Sequence, residues 1–243
     1  MGRYDEYKEW QDKVIGIGSI LRKKESFIDE RDRKLLEETT EVAMRAKNYF
    51  EIHPERRRHH EKERQDSIEE MYDSINVVSI VLGIVNEPIP KHLMLQQLLI
   101  HYPKYRSMPR IRSVKTRQED YADKELFDLW EKELHHVNGD ISRKMQSGVY
   151  SMDDRFDIAY RNLLKCIREI EKSVSTLPMS YGELEAEAED EGRIIHPLFD
   201  LKVSAGDMIN NTSICMGIFG QPLPPYPEMY KKLLLRDDRY GTG

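Results

Sequence analysis

The chain has 243 residues, of which 39% are hydrophobic and 34% are charged, and its formal net charge is -6. This balance is typical of soluble helical proteins, and the acidic net charge argues against a general nucleic-acid binder, whose affinity comes from clustered Lys and Arg. The longest apolar stretch, residues 77–85, is far below the roughly 20 residues of a membrane span, and residues 1–10 lack a secretory signal pattern. We therefore expect a cytoplasmic protein without a membrane segment.

Apolar residues recur at spacings of three and four throughout, whereas the alternation typical of strands is nearly absent. The sequence therefore predicts an all-α fold. Proline and glycine interrupt the helical pattern near residues 53–54, 86–90, 102–117, 177–178 and 220–225. Taken in chain order, the predicted helices span residues 5–24, 30–50, 62–85, 91–101, 119–146, 153–175, 183–191, 197–219 and 227–235.

The second and third predicted helices each carry two acidic residues three positions apart: Glu38 with Glu41, and Glu70 with Asp73. Residues at this spacing share one face of a helix. Each pair borders an apolar stripe, where a carboxylate without a partner is costly. If the two helices pack side by side, the carboxylates converge, and such hard oxygen ligands suit Mg²⁺ or Mn²⁺. The alternative is that both pairs belong to solvated acidic faces.

Between these two helices lies a basic segment, residues 53–64. Its guanidinium groups, on Arg56, Arg57 and Arg58, are candidates to contact phosphate oxygens. A solvated loop with balanced charges is the alternative. One helical turn after Asp73, Asn76 is a further candidate to contact a substrate, and its alternative role is to cap or bridge within the fold.

The second half of the chain repeats the first, because residues 73–90 align without a gap on residues 207–224. The shared Gly and Pro residues have specific backbone roles that helical periodicity alone does not require. We therefore predict two tandem four-helix repeats, with a first half at residues 1–118 and a second half at residues 119–243.

The acidic residues are only partly repeated. Lys165, Cys166 and Glu169 stand where the first half has Glu37, Glu38 and Glu41, and Ser204 and Asp207 stand where it has Glu70 and Asp73. One acid per pair is too few to hold a cluster of metal ions. The second half is therefore expected to be structural, to be regulatory, or to contribute walls to the site of the first half.

These motifs resemble the signature of the MazG-like family of all-α nucleoside triphosphate pyrophosphohydrolases, which has E-x-x-E on one helix and E-x-x-D on the next. Residues 34–42 and 68–75 also resemble this superfamily, which includes dimeric dUTPases and phosphoribosyl-ATP pyrophosphohydrolases. The separation between the motifs, from Glu41 to Glu70, lies at the long end of what the family leads us to expect. Family members commonly pair four-helix units, which implies either a homo-oligomer or a pseudo-dimer within one chain.

The resemblance implies a nucleoside triphosphate substrate and a Mg²⁺ cofactor, with Mn²⁺ as the alternative ion. Water would attack phosphorus and release pyrophosphate and a nucleoside monophosphate. The implied metal ligands are Glu38, Glu41, Glu70 and Asp73. The catalytic candidates are Glu38 and Glu37, because the carboxylate of Glu37 could orient or deprotonate the water. The competing hypothesis is a non-catalytic nucleotide sensor or scaffold that keeps the fold.

Cysteine and tryptophan residues of the chain lie in apolar helical patterns. We expect Cys166 and Cys215 to be buried thiols. Trp10 and Trp130, on the first predicted helix of each half, are expected to pack in the core or at an interface, with stacking on a nucleobase as the alternative.

Overall fold

A computed structural model describes residues 2–21, 45, 60–84, 87–101, 122–148, 197–221 and 223–240. These residues form six helices, with no strand in the described ranges, so the all-α prediction is confirmed for them. The helices are α1 (Arg3–Leu21), α2 (Glu61–Ile84), α3 (Lys91–His101), α4 (Asp123–Gln146), α5 (Pro197–Ile218) and α6 (Tyr226–Tyr240). Among the described helices, none has both the length and the apolar character needed to cross a bilayer.

Each of the six helices corresponds to a predicted one. The α3 bounds agree with the prediction, and α2 differs from it by one residue at each end. The predicted helices at residues 153–175 and 183–191 lie outside the described residues, as does the helix at 30–50 except for Arg45, which is helical.

Two helix ends differ more clearly from the prediction. Helix α4 begins at Asp123 rather than at residue 119, because the backbone N–H of Ala122 is capped by the Glu125 carboxylate at 3.1 Å. Helix α6 continues to Tyr240, five residues beyond the predicted end at residue 235. The charged residues of this last turn carry no apolar signal, so periodicity did not reveal it.

The helix contacts match between the two halves of the chain, with α1, α2 and α3 corresponding to α4, α5 and α6. Helix α1 packs on α2 as α4 packs on α5, and α1 packs on α6 as α3 packs on α4. Helix α2 contacts α6 as α5 contacts α3, while the central contact joins α2 to α5. Among the described helices, the first of each half therefore packs against the last of the other half.

Among the described residues, one hydrophobic core includes side chains from both halves. Helices α1 and α4 bury apolar residues at the same helical spacing, which are Tyr7, Trp10, Val14, Ile17 and Leu21 on α1, and Phe127, Trp130, Leu134, Val137 and Ile141 on α4. The two sets differ by a constant 120 positions in the chain. The two sets contact each other, because the ring centroids of Tyr7 and Phe127 lie 4.7 Å apart.

The close approach of α1 and α2 depends on glycine. A Cβ atom on Gly18 would clash with the backbone of Gly83 and Ile84, so no larger side chain fits there. In the second half, Asn138 and Gly217 occupy the corresponding positions, and a Cβ atom on Gly217 would clash with the Asn138 side chain. Where the first half has two facing glycines, Gly18 and Gly83, the second half has one glycine, Gly217, which faces the Asn138 side chain.

Candidate functional site

The acidic pair of the third predicted helix lies on α2 at the edge of the core. Glu70 and Asp73 are three residues apart and share a face of the helix. Asp73 is 2% exposed, whereas the Glu70 side chain is 16% exposed. The two carboxylates therefore face a boundary between the buried interior and solvent, and their oxygens are the donors that Mg²⁺ takes in proteins. The carboxylate oxygens of Glu70 and Asp73 are therefore suitable ligands for the Mg²⁺ ion that the sequence leads us to expect.

A lysine from the other half of the molecule contacts Asp73 of this acidic pair. Lys232, on α6, places its Nζ 3.0 Å from Asp73 Oδ2 and 3.2 Å from the backbone carbonyl oxygen of Glu69. A weaker contact joins the same Nζ to Glu69 Oε2 at 3.5 Å. The Lys232 side chain is 24% exposed, so it is only partly buried. Sequence analysis missed Lys232, because its neighbour Lys231 carries the same charge and nothing local distinguishes them.

Arg45 contacts the other carboxylate of the pair. Its guanidinium Nε lies 3.8 Å from Glu70 Oε1, and its Nη1 lies 3.6 Å from Asp66 Oδ2. In the sequence, Arg45 follows Glu41 by four positions and Glu38 by seven. Residues at these spacings share a face on a continuous helix.

Several predicted site residues lie outside the described residues. They are Glu37, Glu38 and Glu41 of the first acidic motif, and Arg56, Arg57 and Arg58 of the basic segment. Cys166, predicted to be a buried thiol, and Glu169, aligned with Glu41, also lie outside the described residues. Within the described part of the chain, no group of three or more His, Cys, Asp or Glu side chains could hold a metal ion. Glu70 and Asp73 alone supply two of the four predicted ligands.

Asn76 acts within the core. Its Oδ1 accepts a hydrogen bond from Trp10 Nε1 at 2.8 Å, and its Nδ2 donates to the backbone carbonyl of Met229 at 3.3 Å. Both ends of the carboxamide are therefore engaged at a buried position. Of the two roles expected from the sequence, the structure shows the bridging one, which joins α1, α2 and α6.

Asn210 repeats this arrangement in the second half. Its Oδ1 accepts from Trp130 Nε1 at 2.8 Å, and its Nδ2 donates to the Met94 carbonyl at 2.7 Å. Both tryptophans are 1% exposed, which confirms the core packing predicted for them. The stacking of a nucleobase on either ring has no room, because the cavity beside them measures about 10 Å³ and is lined by apolar atoms.

Two basic side chains, Lys91 and Arg3, form further contacts between the two halves. Lys91 is buried, and its Nζ lies 2.8 Å from Asp123 Oδ1 and 3.1 Å from the Tyr7 hydroxyl. Burial lowers the pKa of Lys91, while the neighbouring Asp123 carboxylate partly opposes that effect. Arg3 pairs with the Glu131 carboxylate and donates to the Pro224 carbonyl at 3.0 Å. These contacts tie the two halves together.

Cys215 is a buried free thiol, as predicted. Desolvation by burial raises its pKa to about 12, so the sulfur stays protonated near neutral pH. A protonated buried thiol is neither a nucleophile nor a metal ligand.

Comparison of the chain with protein-family models, with curated proteins and with solved structures finds no match in any of the three.

Proposed function

We propose that the protein is a Mg²⁺-dependent nucleoside triphosphate pyrophosphohydrolase whose active site lies in the first half. The observation that carries this proposal is the placement of Glu70 and Asp73 on one face of α2, at the core boundary, beside the ammonium of Lys232. Carboxylates at such a boundary are costly unless cations accompany them. A site that binds both Mg²⁺ and a polyphosphate uses carboxylates for the ion and basic groups for the phosphates.

The remaining ligands in the proposal are Glu38 and Glu41. Arg45 supports this assignment, because it contacts Glu70 and follows Glu41 by one helical turn in the sequence. When bound, Mg²⁺ would polarise the phosphoryl oxygens. Glu37 would orient or deprotonate the attacking water, and Arg56, Arg57 and Arg58 would contact the phosphates.

The proposed architecture is a pair of four-helix repeats that form an intramolecular pseudo-dimer. Two observations support it. The helix contacts match between the two halves, and each half has a buried asparagine that links a tryptophan to a backbone carbonyl by hydrogen bonds. In this architecture the second half contributes to the site of the first half, because Lys232 of the second half contacts Asp73. Its own corresponding positions, Ser204 and Asp207, retain a single acid.

The proposal is tested by incubating the intact chain with a panel of NTPs and dNTPs and Mg²⁺ or Mn²⁺. Phosphorus NMR distinguishes release of pyrophosphate from release of phosphate. We expect pyrophosphate and a nucleoside monophosphate as products. Activity should be lost in Glu38→Gln and kept in Glu169→Gln, which changes the acid that the second half retains at the position aligned with Glu41. Release of phosphate, or equal loss in both variants, would contradict the proposal.

A second candidate function is a nucleotide sensor or scaffold without turnover. The Asp73–Lys232 ion pair favours it, because Asp73, the more buried of the two described acids, already has a cationic partner within the protein. A folded chain that is stabilised against heat by a nucleotide with Mg²⁺, yet hydrolyses none of the panel, would be such a sensor.

A further inference from the structure

The ammonium of Lys232 contacts the same carboxylate that is proposed to bind a metal ion. Its Nζ is 3.0 Å from Asp73 Oδ2, and the Asp73 side chain is almost fully buried. A divalent ion held by Asp73 would therefore share that carboxylate with a second positive charge. Like charges at a partly buried position repel more strongly than in water, so the ion alone should bind weakly.

A polyphosphate changes this balance. Its negative oxygens attract both the divalent ion and the ammonium, and lysine is a common partner of phosphate groups. We propose that Lys232 makes metal binding at Glu70 and Asp73 depend on the simultaneous binding of a polyphosphate chain. The inference rests on the proposed function, and it adds a phosphate-binding residue that the second half contributes to the site of the first.

The two halves differ at this position in the way the inference requires. When Leu98 is aligned with Leu233, Gln97 of α3 is the residue that corresponds to Lys232 of α6. The lysine thus belongs to the helix that contacts α2, whose face carries Glu70 and Asp73. The helix that contacts α5 has a neutral glutamine instead, and the corresponding face there carries one acid. Lysine and the complete acidic pair therefore occur together.

The test measures protein-bound Mn²⁺ by equilibrium dialysis of the full chain, without and with inorganic tripolyphosphate. We expect tripolyphosphate to raise the Mn²⁺ affinity of the wild-type protein by about tenfold or more, because it offsets the repulsion from Lys232. Lys232→Gln should bind Mn²⁺ alone about tenfold more tightly than wild type and should lose most of the enhancement by tripolyphosphate. Lys232→Met is measured beside it, so that misfolding of one variant leaves the other.

Two lysine variants serve as controls. Lys232→Arg keeps the charge and should retain weak binding of Mn²⁺ alone. Lys231→Gln removes the charge of the exposed neighbour on the same helix and should behave as wild type. Folded Lys232→Gln and Lys232→Met proteins with wild-type Mn²⁺ affinity and wild-type enhancement would overturn the inference.

Failure of the inference can be distinguished from failure of the proposed function by two ligand variants, Glu70→Gln and Asp73→Asn. If they abolish Mn²⁺ binding while the Lys232 variants change nothing, the metal site stands and the role of Lys232 is wrong. If they leave Mn²⁺ binding unchanged, the metal site is wrong and both proposals are overturned.

Discussion

Asn76 and Asn210 show how one residue type can hold the two halves together. Each accepts a hydrogen bond from the buried tryptophan of its own half and donates one to a backbone carbonyl of the other half. A buried donor or acceptor that loses its partner costs about 1–3 kcal/mol. Each asparagine satisfies two such groups, so its contribution to stability is larger than that of a typical hydrogen bond.

The corresponding prediction is that Asn76→Ala lowers the free energy of unfolding by about 2–4 kcal/mol, and Asn210→Ala by a similar amount, because each leaves a tryptophan N–H and a carbonyl unsatisfied. Urea denaturation followed by circular dichroism measures the change. Gln65→Ala, at an exposed position of α2, is the control and should change stability by less than about 0.5 kcal/mol. An Asn76→Ala protein as stable as the control would contradict the bridging role.

The Cys215 thiol should be unreactive in the folded protein. An exposed thiol ionises near pH 8.5, whereas burial raises the pKa of Cys215 to about 12. Because the unfolded chain loses this proton first, the thiol should make unfolding easier as pH rises from about 8.5 towards 12. In a Cys166→Ser background, a disulfide reagent at pH 8.5 should label the protein only in denaturant. Rapid labelling of the native protein would show that the thiol is accessible.

For single residues, the sequence predicts which acidic side chains share a face of the candidate site. It does not predict which side chains from distant parts of the chain contact them. The spacing of Glu70 and Asp73 predicts their shared face, because i and i+3 geometry is local to one helix. Lys232 is more than 150 positions away along the chain. Its contact with Asp73 depends on how α6 docks on α2, which no local pattern encodes.

Helix positions were predicted well wherever apolar periodicity or proline marked them. Helix α3 follows Pro90, and its apolar residues continue to its end, so both bounds agree with the prediction. The start of α4 instead depends on a side-chain cap, and the end of α6 is polar. Such ends are decided by single hydrogen bonds or by tertiary packing, which periodicity does not report.

The contact between α1 and α2 gives a prediction for the helix pair. Gly18→Ala should lower the free energy of unfolding by at least about 2 kcal/mol, because its Cβ would clash with the α2 backbone rather than with a movable side chain.

Gly16→Ala is the matched control on the same helix. It meets nothing within 4 Å, so it should stabilise the protein by up to about 1 kcal/mol through helix propensity. Thermal and urea unfolding of both variants measure the difference. Equal stability of the two alanine variants would be inconsistent with the close approach of the helices.

In the described part of the molecule, helices of one half pack against helices of the other half. Alignment of residues 73–90 with 207–224 predicts two related sets of helices. It does not predict that α1 packs on α6 while α3 packs on α4. Similar apolar stripes could equally close into separate bundles, and only the complementarity of the packed side chains selects the shared core. One cooperative unfolding transition is the expected consequence, because the described buried apolar residues of both halves form one contiguous core.

This shared core makes the two acidic faces comparable within one molecule. Asp73 and Asp207 stand at aligned positions of α2 and α5, but only Asp73 has a second acid, Glu70, one turn before it. The central claim is that only the face with the complete pair binds the metal ion and hydrolyses a nucleotide.

The most direct measurement of this claim is metal-dependent pyrophosphate release by Asp73→Asn and Asp207→Asn, each compared with wild type on the nucleotide that the panel identifies. Loss of a metal ligand should reduce kcat/KM at least about 100-fold in Asp73→Asn, and Asp207→Asn should stay within about threefold of wild type. Circular dichroism should show that both variants are folded. Equal activities of the two folded variants would contradict the assignment of the active site to the first half.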